Sequence, residues 1–335
     1  MSAATRLPEP PRGLAALRRR WEAIAKAEDL DPRREPWCWD ADGRLLLRSG
    51  RALAAARRLA AAHPGALRLV ALRAESIWRV SASHSALRRQ PAHAAEQISQ
   101  LRVGDPFTVW HWDAERTWCL GAGEDGYPGW LRAWHLSAGG GPSPRRVVCA
   151  RSSRALAAPT PAAAVVMDLS FGTRLASAGA ARSGHLPWCL PDGRRVWTPL
   201  ADLGAWPGRR REDAARAALL ERGLALLGLP YEWGAASSSG VDCSGLVQLL
   251  LASLGLGAPR DADLQALWGR SRSLDQPETW RPGDLIFYGE PRIDHVGILL
   301  PAGKLLHASG DVRREALAAG GVLRGRVPRA LRNPF

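Results

Sequence analysis

The sequence predicts a multidomain protein: an N-terminal helical segment, two small β-barrels, and a C-terminal α+β domain. Three observations support this. At 335 residues with 46% hydrophobic content, the chain can fill two or three ordinary cores. Its texture changes twice, from helical periodicity to short β-rich runs near residue 71 and to helices followed by strands near residue 209. Two stretches of the β-rich part repeat each other.

Residues 1–70 read as helical. RGLAALRRRWEAIAKAEDL carries apolar residues at Leu14, Leu17, Trp21 and Ile24, one stripe of a helix with charge opposite. A second helix through GRALAAARRLAAAHPG stops at His63-Pro64-Gly65, where proline and glycine cannot continue it. This region shows packing and no chemistry.

Residues 71–140 and 145–208 read as strands joined by tight turns, divided near AGGGPSPRR. Trp118-Cys119-Leu120 matches Trp188-Cys189-Leu190, VGDPFTV answers FGTRLAS, and His135-Leu136 answers Asp202-Leu203. Two copies of one barrel explain the match, and they place Cys119 and Cys189 in equivalent structural strands. Residues 209–335 open with the amphipathic helix EDAARAALLERGLALLG. The strand patterns GDLIFYG, DHVGILLP and KLLHASG come later.

Charge and cysteine usage narrow the function. The net charge is +14, yet Lys26 and Lys304 are the only lysines, and the arginines are spread along the whole chain with no basic stripe of stacking aromatics. That is a composition bias, and no nucleic-acid partner is expected. Cys38, Cys119, Cys149, Cys189 and Cys243 form no CxxC pair and no close Cys/His spacing, which argues against a disulfide framework or a zinc site. The opening MSAATRLPEPPRG lacks a continuous apolar leader, and no later run has membrane-spanning length. A cytoplasmic protein that does not engage a membrane is expected, or a periplasmic or secreted one if the sequence is a trimmed form.

Chemistry concentrates around SGVDCSGLVQLLL. Gly240 and Gly245 allow a tight loop, and the apolar run behind Cys243 has the density of a buried helix. A cysteine heading a helix meets N–H groups and a dipole that favour thiolate, although a free cysteine is also a common core residue. After Cys243 the only histidines are His295 and His307, on two strand patterns around Pro301-Ala302-Gly303. A hairpin there brings the two imidazoles together, so that nucleophile, base and orienting group can converge.

At this point the segment resembles the NlpC/P60 cysteine peptidases, papain-like enzymes that cleave peptidoglycan stem peptides. The resemblance rests on Tyr231-Glu232-Trp233-Gly234, Asp242-Cys243-Ser244-Gly245-Leu246-Val247, Pro259-Arg260-Asp261-Ala262 with Gln265, Arg281-Pro282-Gly283-Asp284-Leu285, Asp294-His295-Val296-Gly297-Ile298 and Leu306-His307-Ala308. It implies Cys243 as nucleophile, His295 as base, His307 as its holder, and Tyr231 with the Cys243 N–H as oxyanion donors. Asp242, Ser244, Asp261 and Trp233 would line the substrate pocket. Ala235 stands where the family usually has glycine.

The two β-rich units resemble bacterial SH3-like domains, the first through Ser85-Ala86-Leu87-Arg88, ISQLRVGDPFTVW and Gly126-Tyr127-Pro128-Gly129-Trp130. The second has lost the GYxGW sequence. The whole arrangement resembles γ-D-glutamyl-L-diamino acid endopeptidases, in which a tyrosine and an acid of the first barrel hold the free amine of an N-terminal L-alanine. Tyr127 matches the tyrosine and Glu96 is the match for the acid. The resemblance implies a monomeric enzyme that needs no cofactor or metal and takes free murein peptides, with lysine or diaminopimelate following the glutamate, for cell-wall recycling. Hydrolysis of intact peptidoglycan, non-catalytic peptidoglycan binding and acyl transfer remain alternatives.

Overall fold

The computed structural model describes residues 13–335 except 41, 49, 75, 140–142, 208–210, 318–322 and 324. The stretch read as lacking a leader therefore lies, through residue 12, outside the described residues.

The N-terminal unit holds helix α1 (Leu14–Ala27) and helix α2 (Gly50–Ala62) on the expected stripes, with Leu17, Trp21, Ala55 and Leu59 buried. The expectation of a purely helical segment is corrected, because Trp37–Trp39, Leu45–Leu47 and Leu69–Ala71 form a three-stranded sheet. Each of these strands is three residues long, too short for alternation to show in the sequence. The turn between the first two is set by Asp40, whose side chain accepts the Arg44 N–H at 2.8 Å, and by Gly43 at φ 71°. Strand Leu45–Leu47 is fully buried and pairs in parallel with Leu69–Ala71, with α2 as the crossover.

The first barrel is a seven-stranded antiparallel sheet between Ser76 and Ala138. The second, from Arg146 to Ala205, divides into sheets of three and four strands. Corresponding features recur at the repeat positions. Gly104 and Gly172 take left-handed φ of 84° and 80° ahead of a strand, and a short 3-10 turn precedes Leu136 and Leu203. Cys119 and Cys189 both lie in strands; the first is buried and the second exposed.

The C-terminal domain packs helices α3 (Glu212–Ala225), α4 (Cys243–Ser253) and the single turn α5 (Ala262–Gln265) with a six-stranded antiparallel sheet. The sheet order is Arg270–Ser271, Pro328–Asn333, Leu285–Tyr288, His295–Leu300, Lys304–Ser309, Asp311–Ala316. Helix α4 is apolar on all sides because it is enclosed. Leu246, Val247, Leu249, Leu250 and Leu251 are each at most 1% exposed. Among the described residues, no helix is long and apolar enough to cross a membrane.

The units contact one another directly. Leu46 and Leu72 of the N-terminal unit share a core with Trp110, Trp118, Leu120 and Trp130 of the first barrel. First-barrel strand Gln97–Arg102 runs beside the loop that precedes α4: Gln97 donates to the Trp233 carbonyl and Arg102 to that of Ala236. The second barrel closes the back of α4, where Trp206 donates to the Ala252 carbonyl at 2.9 Å.

Candidate active site

Cys243 is the first residue of α4, and the residue before it caps the helix. The Asp242 carboxylate accepts the Gly245 N–H at 2.6 Å, which satisfies one donor of the first turn and sets the direction in which the thiol leaves the loop. The tight turn needs small residues: a Cβ on Gly245 would meet the Ala235 carbonyl at 2.2 Å. Ala235 itself is fully buried, and its backbone accepts the Asp242 N–H. The extra methyl relative to glycine is thus accommodated in the loop.

The two histidines lie on a hairpin. Strands His295–Leu300 and Lys304–Ser309 pair antiparallel with Ile298 opposite Leu306, and the chain reverses at Ala302 and Gly303, both with positive φ. His295 and His307 share a face of this pair. The Nε2 of His295 lies 2.9 Å from the Nδ1 of His307, with the rings edge to face. On the next strand, Glu315 Oε2 stands 3.6 Å from His307 Nε2. That is beyond hydrogen-bond length, but the carboxylate's charge favours the His307 proton on Nε2, and with that tautomer Nδ1 accepts from His295 Nε2–H. The Nδ1 lone pair of His295 is then free to act as a base. Glu315 carries no sequence motif and was not anticipated from the sequence.

Cys243 Sγ lies 3.9 Å from the carbonyl oxygen of Asp294, the residue before His295. Burial, followed by the Asp242 charge, pushes the thiol up to about 11, while backbone N–H groups of Val296 and Ser244 pull the other way. Burial, with His307 and Arg326 behind it, pushes His295 down to about 4. The resting pair is therefore neutral thiol and neutral imidazole, and attack requires proton transfer from one to the other. Tyr231 is half-buried, packs on the core that contains Cys243, and is pushed up to about 12 by burial and by the proximity of Cys243. Its phenol keeps its proton at neutral pH and can donate.

The low value for His295 has a measurable consequence. The unfolded chain takes up the imidazole proton near pH 6.5, before the folded chain does. This contribution to stability is complete above that pH and is lost as pH falls toward 4. The wild-type melting temperature is expected to drop across this window, and His295→Gln, which does not titrate, to flatten part of the drop. Parallel curves for the two proteins would refute a buried neutral imidazole.

Asp242 and Ser244 are more deeply engaged than pocket-lining residues need to be. Arg260, 2% exposed, donates to Asp242 Oδ1 at 3.0 Å and Oδ2 at 2.6 Å, to Ser244 Oγ at 3.0 Å, and to Ser99 of the first barrel at 3.2 Å. This buried guanidinium ties barrel, cap and nucleophile together. Arg260 belongs to one of the quoted motifs, but the sequence alone gave it no role.

The other anticipated residues meet at the junction with the first barrel. Gly126, at φ 74°, turns the chain so that the Tyr127 N–H donates to Asp125 and the Tyr127 hydroxyl donates to Asp261 Oδ2 at 2.8 Å. Tyr127 is also part of the barrel core, at 7% exposure. Glu96 is exposed but engaged on both oxygens, by Arg89 at 2.6 Å and by the indole N–H of Trp233 at 2.9 Å. The Arg89 hydrogen bond holds its carboxyl below the usual range. Trp233 is 63% exposed. An aromatic core would hide such a residue; this one stands at the surface over Glu96. Arg33 of the N-terminal unit also reaches Asp261, at 2.8 Å, a contact with no trace in the sequence. Among the described residues, no three His, Cys, Asp or Glu side chains are grouped to hold a metal ion.

Comparison with known proteins finds two family matches along the chain. The NlpC/P60 family matches residues 228–326, and the bacterial dipeptidyl-peptidase Sh3 domain matches residues 87–136. The gamma-D-glutamyl-L-lysine dipeptidyl-peptidase of Bacillus subtilis is 39% identical over 94 residues, covering 27% of this chain and 31% of the relative. The Bacillus cereus protein of the same name is 27% identical over 201 residues, covering 55% of this chain and 57% of the relative. The chain thus spans less than two thirds of either protein. A crystal structure of an NlpC/P60 family protein from Bacillus cereus superposes with a TM-score of 0.67 at 20% identity, over 77% of this chain and 99% of that one, which shows a common fold.

Proposed function

We propose, from the premise that this chain carries an NlpC/P60 domain at residues 228–326 behind a bacterial SH3 domain, that it is a cysteine endopeptidase acting on free murein peptides. The bond cleaved joins γ-D-glutamate to the diamino acid, lysine or diaminopimelate, in peptides that begin with a free L-alanine. The observation that carries this reading is the His295–His307 pair, hydrogen-bonded at 2.9 Å beside a cysteine at a helix N-terminus, the papain-like order of parts.

His295 Nδ1 takes the thiol proton of Cys243, and the sulfur attacks the γ-carbonyl carbon of glutamate. The resulting oxyanion is held by the Cys243 N–H and the Tyr231 hydroxyl, a donor pair of the kind that contributes a few kcal/mol, about 3, to the barrier. The C–N bond breaks as His295 returns the proton to the departing amine, leaving a thioester. Water, deprotonated by His295, then adds to the thioester and releases L-Ala-γ-D-Glu and the thiol. In this reading His307, favoured by the Glu315 charge in its Nε2–H form, keeps the His295 proton on Nε2 throughout.

Substrate choice follows from the junction. Tyr127 and Asp261, joined by a hydrogen bond, would with Glu96 receive the substrate amine, where an ammonium gains charge-assisted hydrogen bonds. An acylated nitrogen loses the charge and, with it, these bonds. This favours free peptides over stems still attached to the wall, and with them a recycling role in the cytoplasm. Finding the mature protein only in the periplasm or medium would overturn that location.

The test is mass spectrometry of L-Ala-γ-D-Glu-meso-diaminopimelate and its N-acetyl form after incubation with the enzyme. Release of L-Ala-γ-D-Glu from the free peptide alone is expected. Tyr127→Phe with Glu96→Gln should narrow the preference by roughly tenfold or more, the equivalent of one lost charge-assisted bond. Cleavage of purified sacculi with neither peptide touched would move the assignment to intact wall.

A further inference from the structure

We propose that Arg33, in the N-terminal unit, is a specificity-determining positioning residue: it orients Asp261 at the amine end of the cleft and pins the N-terminal unit across that end. The inference rests on the reading above, in which Asp261 and Tyr127 help receive the substrate ammonium.

Arg33 follows α1 in a turn anchored by Asp31, whose carbonyl accepts the N–H groups of Arg34 and Glu35. Its side chain is fully committed to carboxylates. Nη1 donates to Asp261 at 2.8 Å and to Asp263 Oδ1 at 2.9 Å, while Nη2 donates to Asp263 Oδ2 and Asp31 Oδ2, each at 2.8 Å. Nε donates to both Asp31 oxygens, at 3.0 and 3.1 Å. An isolated surface ion pair contributes little, but here the planar guanidinium is clamped through two nitrogens each on Asp31 and Asp263, which fixes the direction of the Nη1–H that holds Asp261.

Asp261 Oδ2 receives two hydrogen bonds from different units of the protein, Arg33 Nη1 and the Tyr127 hydroxyl, both at 2.8 Å. With Oδ2 so held, the carboxylate cannot rotate, and its Oδ1 is left for a ligand. The charge remains suited to a cation, because Asp31, Asp261 and Asp263 outnumber the one arginine that binds them, while the nearby Arg89 and Arg260 are each paired with an acid of their own, Glu96 and Asp242. Behind this junction lies a cavity of about 70 Å³ between the N-terminal unit and the barrel, lined by Arg33, Trp37, Arg89, Ile98, Tyr127 and Trp130. Arg33 thus holds in place the carboxylate that accepts the amine and ties the N-terminal unit to that end of the site.

Steady-state kinetics on the free and N-acetylated tripeptides would test this in the full chain, with wild type, Arg33→Met, Arg33→Lys and Asp263→Asn. Arg33→Met should raise KM for the free peptide about tenfold, leave kcat within about threefold, and reduce the free-over-acetylated preference by a similar factor. Arg33→Lys should recover part of the loss, and Asp263→Asn should shift KM the same way without altering the N-terminal unit. The rate of Cys243 alkylation by iodoacetamide should not change. Unchanged KM and preference in both Arg33→Met and Asp263→Asn would overturn the proposal. So would a lower KM, which would mean that the guanidinium competes with the substrate ammonium, or a loss of kcat and alkylation together, which would mean general damage. A wild type that cleaves both peptides equally would instead refute the functional reading, and this inference with it.

Discussion

Cys243→Ala is expected to lower kcat for L-Ala-γ-D-Glu-meso-diaminopimelate by roughly four orders of magnitude or more, since removing a covalent nucleophile disables the dyad as a unit. Stability should change by only about 1 kcal/mol, because one small buried atom is lost from a helix start whose cap and core are intact. The other cysteines provide controls. Cys189 is exposed and should react first with iodoacetamide, yet its modification should leave turnover unchanged, whereas Cys243, 6% exposed, should react slowly and abolish it. The slow reaction follows from a thiol held up to about 11 by burial. Turnover by Cys243→Ala within tenfold of wild type would remove the thioester route.

Arg260→Ala should be the most damaging substitution to the fold near the site, costing about 3–5 kcal/mol, the range for removing one partner of a buried ion pair. The Asp242 carboxylate is 6% exposed and would lose both bonds of the guanidinium fork; Ser244 and Ser99 would lose a donor each. Turnover should fall as well, because Asp242 caps the helix that Cys243 begins. Arg260→Lys should recover little, as an ammonium cannot span both oxygens and reach Ser99 at once. Pairing Arg260→Met with Asp242→Asn should restore part of the stability by removing the orphaned charge. Urea unfolding decides the matter, and a midpoint for Arg260→Ala within experimental error of wild type would show that the buried pair is not needed.

Elements with a local signature were legible in the sequence. The stripes of α1 and α2, the glycine-framed start of α4, the hairpin around Pro301-Ala302-Gly303 and the recurring turns of the two barrels each repeat at the period of one kind of structure. The N-terminal sheet was not, because a three-residue strand such as Trp37–Trp39 has no period to detect and Leu45–Leu47 is buried on both faces. Glu96 and Trp233 could each be singled out through the family resemblance, but not that they pair, nor that Arg89 joins them.

By itself, then, the sequence determined the elements long enough to repeat a pattern and the few side chains that can carry thiol chemistry, since helix caps, strand alternation and turn residues act over a handful of neighbours. The tertiary structure alone decided that Arg33, Tyr127 and Asp261 share one carboxylate, that Arg260 locks Asp242, and that Glu315 lies behind His307. Arg33 and Asp261 are 228 positions apart, and Tyr127 and Asp261 are 134 apart. No periodicity links residues at such separations. Their meeting is set by how three units pack, which depends on buried surfaces such as Leu46 against Trp110 and Trp130 rather than on any local pattern.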